Sequence, residues 1–363
     1  MKLFLIGKYP EKIDTEIYTK SWLKALAKTH QKYTYKKLHF REQPWLTLGR
    51  IPYYFFLLLI KRPDVLHVQY FADVVSPFFP LLICVKFLIP KMRVVYLVHE
   101  KPDFLLKHLP AILQKPFLYF EKICFLLADH LIVHTAETKQ NIIDNYNLQE
   151  EKISVVTHPW NETVKIFDSK ETLKKKYGIS EKFLFLIFGR VVPKKGHDLI
   201  LPALQKLRTQ GKDAGLIIAG PQPKNHQAYW QNIKIQIEHL KIKKQVHLFG
   251  YLTDQQIAEI MKISDVAVFP YRSVTQSGVF FTALSYDVPI IAHNLPGFAE
   301  FMQKHQIGLL TPKENPQKLP ETMESLLTAP QKITEFKTNI AKLKNEYSWD
   351  KTIEKYQKIY EKI

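Results

Sequence analysis

Short apolar runs alternate along the chain with longer segments whose apolar positions recur every three or four residues. The runs are rich in β-branched and aromatic residues and predict buried strands, while the longer segments predict helices. This alternation is typical of parallel sheets built from strand–helix–strand units. Strands are predicted at residues 2–7, 33–40, 64–69, 93–99, 129–134 and 152–157, and again at 183–188, 214–219, 245–249, 265–269, 288–292 and 307–310.

The alternation is interrupted once, after residue 160, by the polar stretch "NETVKIFDSKETLKKKYGISEK". The break predicts two doubly wound, Rossmann-like α/β domains of similar size, residues 1–160 and 161–345. A length of 363 residues, more than one ordinary domain requires, agrees with this division.

Two segments have an unusual mixture of residues. Residues 51–62 and 104–127 combine leucines and aromatic residues with lysines, and no uninterrupted apolar run of the chain reaches the roughly 18 residues of a spanning helix. They are either core helices of the first domain or contacts with a membrane surface, and both interpretations stay open. The start, "MKLFLIGKYP", has too short an apolar core for a signal peptide and is expected to be the first strand.

The charge balance is strongly basic, with 52 Lys and Arg against 34 Asp and Glu, which gives +18. Such a charge attracts phosphorylated ligands, anionic lipid or nucleic acid, although a lysine-rich surface without functional meaning is an equal alternative. No nucleic-acid motif occurs and the basic residues are dispersed, so nucleic acid is not favoured as a partner.

Cys84 and Cys124 lie in apolar runs and are expected to be buried free thiols in a reducing compartment.

Ligands of doubly wound sheets bind beyond the carboxyl ends of the strands, which directs attention to the residues that follow each predicted strand. The stretch "FGRVVPKKGHD" follows the strand at 183–188. Gly189 permits a tight turn, Arg190 offers a forked donor and Lys195 a point charge, a combination that suits a diphosphate. The alternative is a solvated basic loop.

A second turn follows the strand at 265–269, where "SVTQSGVFFTALSY" predicts a helix that begins near Gly278. The first backbone N–H groups of a helix have no partner inside it, so those around Ser277, Gly278 and Val279, preceded by Gln276, are expected to bind the same anion. The chain contains no Asp-x-Asp stretch, which fits an anion clamp without a metal ion, and no cofactor is expected.

Three further strand ends carry candidate residues. Phe249 and Gly250 end the strand at 245–249, where the backbone can receive a planar base. In the first domain, His99 and Glu100 leave the strand at 93–99 and are expected to face the second domain across a cleft, with His99 as a catalytic candidate. Gly7, which ends the first strand, and Glu100 are expected to serve the acceptor side. A packing or hydrogen-bonding role for His99 is the alternative.

Several of these motifs occur in the order found in one enzyme family. The segments "GRVVPKKGHDLILPAL", "IIAGP", "VHLFGYLTDQQIAEIMKISDVAVFPYR" and "SGVFFTALSYDVPIIAHNLPGFAEFM", with "PDVLHVQ", "VVYLVHE" and "ADHLIVHTAET" before them, resemble the retaining glycosyltransferases of family four. The resemblance is close in the second domain and looser in the first. It implies the GT-B fold, in which two Rossmann-like domains face each other across a cleft, with a C-terminal helix, residues 346–363, that returns to the first domain from about Trp349.

The resemblance also implies roles for individual residues. Arg190 and Lys195 match the pair that grips the donor diphosphate, and residues 277–279 match the backbone that meets the phosphates. His99 matches a histidine near the transferred sugar, and the segment around Phe249 matches the one that lines the base. The implied partners are a nucleotide-sugar donor and a saccharide or lipid-linked acceptor of surface polysaccharide or glycolipid synthesis. The resemblance also implies that the protein itself is cytoplasmic and lies at the inner face of the membrane.

Two positions depart from the family pattern. The family commonly has two glutamates eight positions apart, where this chain has Val274 and Thr282. Thr282 offers a single hydroxyl at the place of the glutamate that holds the ribose. This departure keeps a second hypothesis open, a non-catalytic GT-B protein that binds a nucleotide or serves in assembly.

Overall fold

The computed structural model describes residues 1–8, 22, 24–26, 28, 34–40, 51–70, 85–99, 111–161, 163–315 and 317–363, with the backbone alone at 6–8, 34–40, 51, 70 and 113. The chain divides into two compact units. Unit 1 comprises Met1–Pro159 and Tyr347–Ile363, and unit 2 comprises Trp160–Glu346.

Unit 1 contains a parallel sheet with the strand order β2-β1-β3-β4-β5-β6. Its strands are β1 (Lys2–Lys8), β2 (Thr34–Phe40), β3 (Val65–Tyr70), β4 (Arg93–Val98), β5 (His130–Val133) and β6 (Ile153–Val155), and its helices are α1 (Ile51–Lys61), α2 (Ala111–Leu127), α3 (Ala136–Tyr146) and α12 (Trp349–Lys362). Residues 85–88 form a further helical turn.

Unit 2 contains a second parallel sheet, with the order β12-β11-β10-β7-β8-β9. Its strands are β7 (Phe183–Phe188), β8 (Ala214–Ala219), β9 (Val246–Phe249), β10 (Val266–Phe269), β11 (Ile290–His293) and β12 (Gly308–Thr311), and its helices are α4 (Lys170–Lys176), α5 (His197–Thr209), α6 (Gln227–His239), α7 (Asp254–Ile263), α8 (Gly278–Ser285), α9 (Pro296–His305), α10 (Lys318–Leu327) and α11 (Pro330–Leu343).

Every strand predicted from the sequence is present, and the predicted α/β class is confirmed. The strands could be predicted from the apolar runs because strands of a parallel sheet are covered on both faces and consist of continuous apolar residues. All six residues of β8, for example, are buried.

The order of the second sheet determines where a ligand can bind. The chain runs from β7 outward through β8 and β9, and then crosses to β10 on the other side of β7 before it continues to β11 and β12. The strand order therefore reverses between β7 and β10, and the carboxyl ends of these two strands form the crevice where doubly wound sheets bind ligands.

Each face of the first sheet is covered by a different set of helices. On one face, α1, residues 85–88, α2 and α3 enclose a core that includes Tyr54, Phe125 and Tyr146. On the other face, α12 buries Trp349, Ile353, Tyr356 and Tyr360 against residues such as Leu3, Leu5, Val95 and Leu97. The hydroxyl of Tyr360 lies 2.8 Å from Nδ1 of His67 in β3.

The two cysteines have different outcomes. Cys124 is a buried free thiol, as predicted, and burial raises its pKa to about 12. Cys84 lies outside the described residues.

Across the part of the chain that the structure describes, no helix is both long and apolar enough to cross a bilayer.

Candidate anion-binding site

The turn that follows β7 brings the Lys195 side chain back against the carboxyl end of β7. Gly189 has a φ of 110°, and a Cβ atom built on it would lie 2.3 Å from Lys195 Nζ and 3.2 Å from Val279 Cγ1. Only glycine accommodates both the left-handed backbone and this close approach. The predicted Gly189 and Lys195 are therefore together, and the first turn of α8 lies beside them.

The Lys195 side chain is almost completely buried. Its ammonium group stands 5.4 Å from the centre of the Tyr271 ring, which is a cation–π distance. Burial and then the positive charge of Lys195 lower the pKa of the neighbouring His197 to about 3. A positive charge held in such a place is stabilised by an anion. Arg190, in contrast, is exposed to solvent.

An ion pair between Arg272 and Asp198 fixes the loop that carries Lys195. Arg272, which follows β10, donates to both carboxylate oxygens of Asp198, at 2.9 and 2.5 Å, and to the carbonyl of Pro193 at 2.7 Å. Tyr229 also donates to Asp198, at 2.5 Å. Burial would raise the pKa of Asp198, but the hydrogen bonds from Arg272 and Tyr229 hold it below its usual value. The loop after β7 is thereby tied to the loop after β10.

The first turn of α8 faces this loop. Ser277, the N-cap residue, makes no side-chain cap to the helix, and its hydroxyl lies 3.4 Å from that of Tyr271. Because the first backbone N–H groups of a helix have no intrahelical partner, those of Gly278 and Val279 are available to an anion, with the favourable end of the helix dipole behind them. The buried amide nitrogen of Gln276 has no hydrogen-bond partner among the described residues.

The carboxyl ends of β8 and β9 lie next to that of β7 and extend the site along the edge of the sheet. The N–H of Gly189 donates to Ala219 and that of Gly220 donates to Phe249, so the ends of β7, β8 and β9 lie in register. Phe249 packs edge-on against Tyr177, with ring centroids 5.4 Å apart, and the exposed Gly250 has open space at its Cβ position. A flat group can approach the backbone there.

Thr282 is held by a residue that the sequence analysis did not consider. Its hydroxyl donates to the Gly278 carbonyl at 3.0 Å and accepts from the Asn161 side-chain amide at 2.8 Å. The Asn161 backbone N–H in turn donates to Ser285 at 3.0 Å. The Thr282 hydroxyl thus retains one acceptor lone pair, and its hydrogen is already used.

The candidate residues of unit 1 are Gly7, His99 and Glu100. Gly7 lies in the last part of β1, and Glu100 lies outside the described residues. His99 follows β4 directly, and its Nδ1 lies 3.3 Å from Nε2 of His134. Burial, followed by the influence of His134, holds the pKa of His99 well below its usual value.

No cluster of three or more His, Cys, Asp or Glu side chains suited to a metal ion occurs among the described residues.

Family models match both halves of the chain. The model of glycosyl transferases group 1 matches residues 169–343, and that of glycosyltransferase family 4 matches residues 10–161. The chain belongs to the family-four glycosyltransferases.

Similarity to solved structures shows that this chain has the GT-B fold. An Anabaena protein, HepE, crystallised in complex with UDP, superposes with a TM-score of 0.78 over all of both chains, at 16% sequence identity. At this identity the likeness establishes the fold alone.

Curated relatives match over shorter stretches. A D-inositol 3-phosphate glycosyltransferase of Rhodococcus erythropolis is 22% identical over 65% of this chain and 54% of its own length. A GDP-mannose-dependent α-(1-6)-phosphatidylinositol monomannoside mannosyltransferase of Mycobacterium tuberculosis is 25% identical over 44% of this chain and 42% of its own length. The chain thus spans about half the length of the curated relatives it matches.

Sequence reasoning missed the supporting residues of this family-four site. Asp198 and Arg272 stand 74 positions apart, and Asn161 and Thr282 stand 121 apart. A signal existed for the first pair, because Asp198 ends the conspicuous stretch after β7 and Arg272 follows β10. Only the order of the strands shows that those two ends are neighbours.

Proposed function

We propose that this chain is a retaining glycosyltransferase of the hexosyltransferase type. It moves a sugar from a nucleotide-sugar donor to a saccharide or lipid-linked acceptor in surface polysaccharide or glycolipid synthesis. The observation that carries the proposal is the meeting of the Lys195 ammonium group, the Gly189 turn and the first turn of α8. A nearly buried cation beside a helix N-terminus at the switch point of a doubly wound sheet is suited to a diphosphate.

The chemistry follows from the placement of charge. When the bond between the sugar carbon and the diphosphate oxygen breaks, the electron pair stays on the diphosphate, and Lys195, Arg190 and the α8 N–H groups stabilise the growing negative charge. The acceptor hydroxyl forms its bond on the face from which the leaving group departs, and its proton passes to the departing diphosphate oxygen. Because these protein groups supply the positive charge, we expect transfer to proceed without a metal ion or cofactor.

The relatives support a nucleoside diphosphate as the leaving group. HepE was crystallised with UDP, and the mycobacterial relative is named as GDP-mannose-dependent. The two bases differ, so the donor of this chain has to be found by a screen.

The screen is a thermal-shift measurement with UDP-, GDP-, ADP- and dTDP-linked sugars and the free diphosphates. A ligand that binds only the folded state raises the melting temperature in proportion to the logarithm of its concentration. One base series should raise it in the wild type, and Arg190→Ala should weaken the effect. The control is Arg208→Ala, since Arg208 is an exposed arginine at the opposite end of α5. The absence of any shift in the wild type would contradict donor binding.

Turnover separates the enzyme from the non-catalytic alternative. With the donor identified, we expect release of nucleoside diphosphate and transfer to acceptor in the presence of EDTA, with the anomeric configuration retained in the product. Arg190→Ala should lower kcat about 100- to 1000-fold, by analogy with the removal of one oxyanion donor. Binding without any release of nucleoside diphosphate would support the non-catalytic protein.

We further propose that unit 1 binds the inner face of an anionic membrane. Of the fifteen large apolar side chains that are exposed among the described residues, nine lie on α1, residues 85–88 and α2, which cover the same face of the sheet. These nine are Tyr53, Phe56, Ile60, Phe87, Leu88, Ile112, Tyr119, Phe120 and Leu126.

The spacing on α2 supports a lipid surface as the partner. Ile112, Lys115, Tyr119, Lys122 and Leu126 recur at three- and four-residue intervals, so they form one exposed stripe of alternating apolar and basic side chains. The only acidic residue of α2, Glu121, is buried, and α1 has none. Apolar side chains enter the headgroup region while lysines reach the anionic phosphates.

Vesicle flotation tests the membrane proposal. The wild type should float with phosphatidylglycerol-containing vesicles at low salt, and much less with pure phosphatidylcholine. The double variant Phe56→Ser, Tyr119→Ser should lose most of this binding. Phe167→Ser is the matched control, because Phe167 of unit 2 is 93% exposed and is not one of the nine exposed apolar residues of α1, residues 85–88 and α2. Flotation that is unchanged in the double variant would overturn the assignment of this surface.

A further inference from the structure

A cavity of about 350 Å³ lies in unit 2 at the carboxyl ends of β10, β11 and β12, and we call it the β11 cavity. Its volume falls within the range of small-molecule sites. The described residues that line it come from three strand ends and two helices: Arg272 after β10, His293 at the end of β11, Lys313 after β12, Leu199 of α5 and Leu319 of α10. Gly189, Lys195 and the first turn of α8 do not belong to this set, so the β11 cavity differs from the candidate anion-binding site.

The electrostatic surroundings of the β11 cavity favour an anion. Leu199 is the third residue of α5 and Leu319 is the second residue of α10, so both helices begin at the cavity and present the positive ends of their dipoles there. The exposed Lys313 adds a positive side chain. This is also the edge of the sheet at which doubly wound domains bind their ligands.

Arg272 retains a donor for a ligand in this cavity. A guanidinium group has five N–H bonds. Three of them are used by the Pro193 carbonyl and the Asp198 carboxylate, and Tyr229 lies close enough to engage a fourth. At least one N–H of Arg272 therefore remains for an acceptor oxygen, while the ion pair with Asp198 keeps the group in place.

His293 determines what else the ligand must carry. Its Nδ1 lies 2.9 Å from the Tyr271 carbonyl oxygen, which can only accept, so Nδ1 bears the proton. Burial lowers the pKa of His293, and the charges of Lys313 and Arg272 act in the same direction. The bond to Tyr271 and the charge of Glu314 oppose this shift without reversing it. The ring is therefore neutral at pH 7.5, and its Nε2 is an acceptor that calls for a hydrogen-bond donor.

We propose that the β11 cavity binds a small phosphate monoester that also carries a hydroxyl group, such as a sugar phosphate. Lys313, the remaining N–H of Arg272 and the two helix ends receive the phosphate oxygens. A hydroxyl group of the ligand donates to Nε2 of His293, and the two leucines cover its apolar C–H surface. This second site takes no part in the transfer reaction, and the argument for it does not depend on the proposed function.

Isothermal titration calorimetry of the full chain at pH 7.5 tests the ligand class. The probes are glucose 6-phosphate and glycerol 3-phosphate, with methyl phosphate, which has no hydroxyl group, and glucose, which has no charge. We expect at least one hydroxylated phosphate to bind with a Kd below about 1 mM, methyl phosphate to bind about tenfold more weakly, and glucose not to bind. If neither hydroxylated phosphate bound at concentrations up to about 10 mM, or if glucose bound equally well, the proposal would be overturned.

Three variants locate the bound probe. Lys313→Ala should weaken the binding of the hydroxylated phosphate about tenfold, because it removes a charge-assisted hydrogen bond. Lys244→Ala is the matched control, since Lys244 is an exposed lysine just before β9 at the amino edge of the same sheet. Arg190→Ala should also leave this binding unchanged. An equal loss in Lys244→Ala would indicate unspecific charge attraction, and a loss in Arg190→Ala alone would place the probe at the candidate anion-binding site; either result refutes the β11 cavity.

His293→Asn tests the hydroxyl contact. The asparagine amide can still donate to the Tyr271 carbonyl, whereas the acceptor Nε2 is lost. We expect the hydroxylated phosphate to bind only as weakly as methyl phosphate does, with the affinity for methyl phosphate itself unchanged. An unaltered preference for the hydroxylated phosphate would contradict the role of His293.

The nucleoside diphosphate separates this inference from the proposed function. Its thermal shift should persist in Lys313→Ala and His293→Asn, because both residues lie outside the candidate anion-binding site. A wild type that binds the hydroxylated phosphate through Lys313 but no nucleotide sugar would support the β11 cavity and refute the proposed function. The reverse result, a nucleotide shift without any phosphate monoester binding, would refute the β11 cavity alone.

Discussion

Gly189 is the residue at which the backbone and the site depend most closely on each other. A Cβ atom there would lie 2.3 Å from Lys195 Nζ, on a backbone with a φ of 110°. Gly189→Ala must therefore displace the Lys195 ammonium group or the strand end. We expect the variant to lose the thermal shift produced by the nucleoside diphosphate and to unfold with a free energy lower by roughly 1–3 kcal/mol. Differential scanning fluorimetry with and without ligand, and urea denaturation, measure the two effects.

Gly211→Ala separates backbone strain from the loss of the site. Gly211 has a φ of 76°, and no heavy atom lies within 4 Å of its Cβ position. We expect this variant to lose about 1–2 kcal/mol of stability while it keeps the ligand shift. If both variants lost the shift equally, strain alone would explain the effect, and the close contact between Gly189 and Lys195 would have no special importance.

Single residues of the site were predictable where one short stretch contained them. Gly189, Arg190 and Lys195 belong to one turn, and the residue types alone indicate an anion. The ion pair between Arg272 and Asp198 was not predictable, because no spacing rule joins residues from two different turns. It exists because β10 pairs with β7, which is a property of the sheet.

At the scale of elements, α8 is joined to the chain that enters unit 2. Asn161 bonds to Thr282 and Ser285, and the Val164 N–H donates to the Tyr286 hydroxyl at 3.1 Å. The Thr282 hydroxyl is thus chiefly structural. We expect Thr282→Val to lower the free energy of unfolding by about 1 kcal/mol, the usual net value of such a bond, and to change the donor Kd less than about threefold.

A double-mutant cycle with Asn161→Ala checks this assignment. Because both substitutions remove the same hydrogen bond, their costs in unfolding free energy should be less than additive, with a coupling of at least about 0.5 kcal/mol. Additive costs would contradict the bond. A tenfold weaker Kd for the nucleotide sugar in Thr282→Val would instead show that the hydroxyl holds the ribose, as the resemblance implied.

Most elements were predictable to within two residues, since buried parallel strands are continuous apolar runs. The largest deviations, two residues at one end of the strand, occur for β11, which begins at Ile290 and not at 288, and for β6, which was expected to reach residue 157 and ends at Val155. The β6 strand lies at the edge of its sheet and pairs with β5 over three residues only. For α1, Leu57 and Leu58 enter the core, as one of the two sequence interpretations expected, while Phe56 and Ile60 are exposed. The membrane contact of this helix stays a prediction.

At the scale of the whole molecule, the sequence indicated the class of fold and the break between two series of strands. It did not indicate how the polar interior of unit 1 is arranged. Four histidines, His67, His99, His134 and His158, belong to separate strands or strand ends and stand far apart in sequence. Each alone has the appearance of a packing residue, and their shared chemistry follows only from the parallel order β3-β4-β5-β6.

These histidines predict an acid-sensitive fold. Burial lowers the pKa of His67 and His158 to about 3 and that of His134 to about 4, whereas the unfolded value is about 6.5. Below pH 6.5 the unfolded chain therefore binds more protons than the folded chain, so stability is complete above this pH and decreases as the pH falls towards 4.

Each of the three should reduce stability by roughly 1.4 kcal/mol per pH unit once its unfolded form is protonated, on the order of 5 kcal/mol in total between pH 6.5 and 5. Urea midpoints at pH 7.5, 6.5, 5.5 and 5 measure this decrease, in a range that lies above the usual pKa values of carboxylic acids. His130 and His197, with pKa values lowered by burial to about 4 and about 3, and His99, with a pKa well below its usual value, add to the slope. His158→Asn should therefore make the slope shallower by about one sixth, because one of six such protonation sites is lost from the unfolded chain. A midpoint that stays constant from pH 7.5 to 5 would mean that the histidines are protonated in the folded protein, and the neutral hydrogen-bonded pair of His99 and His134 could not then exist.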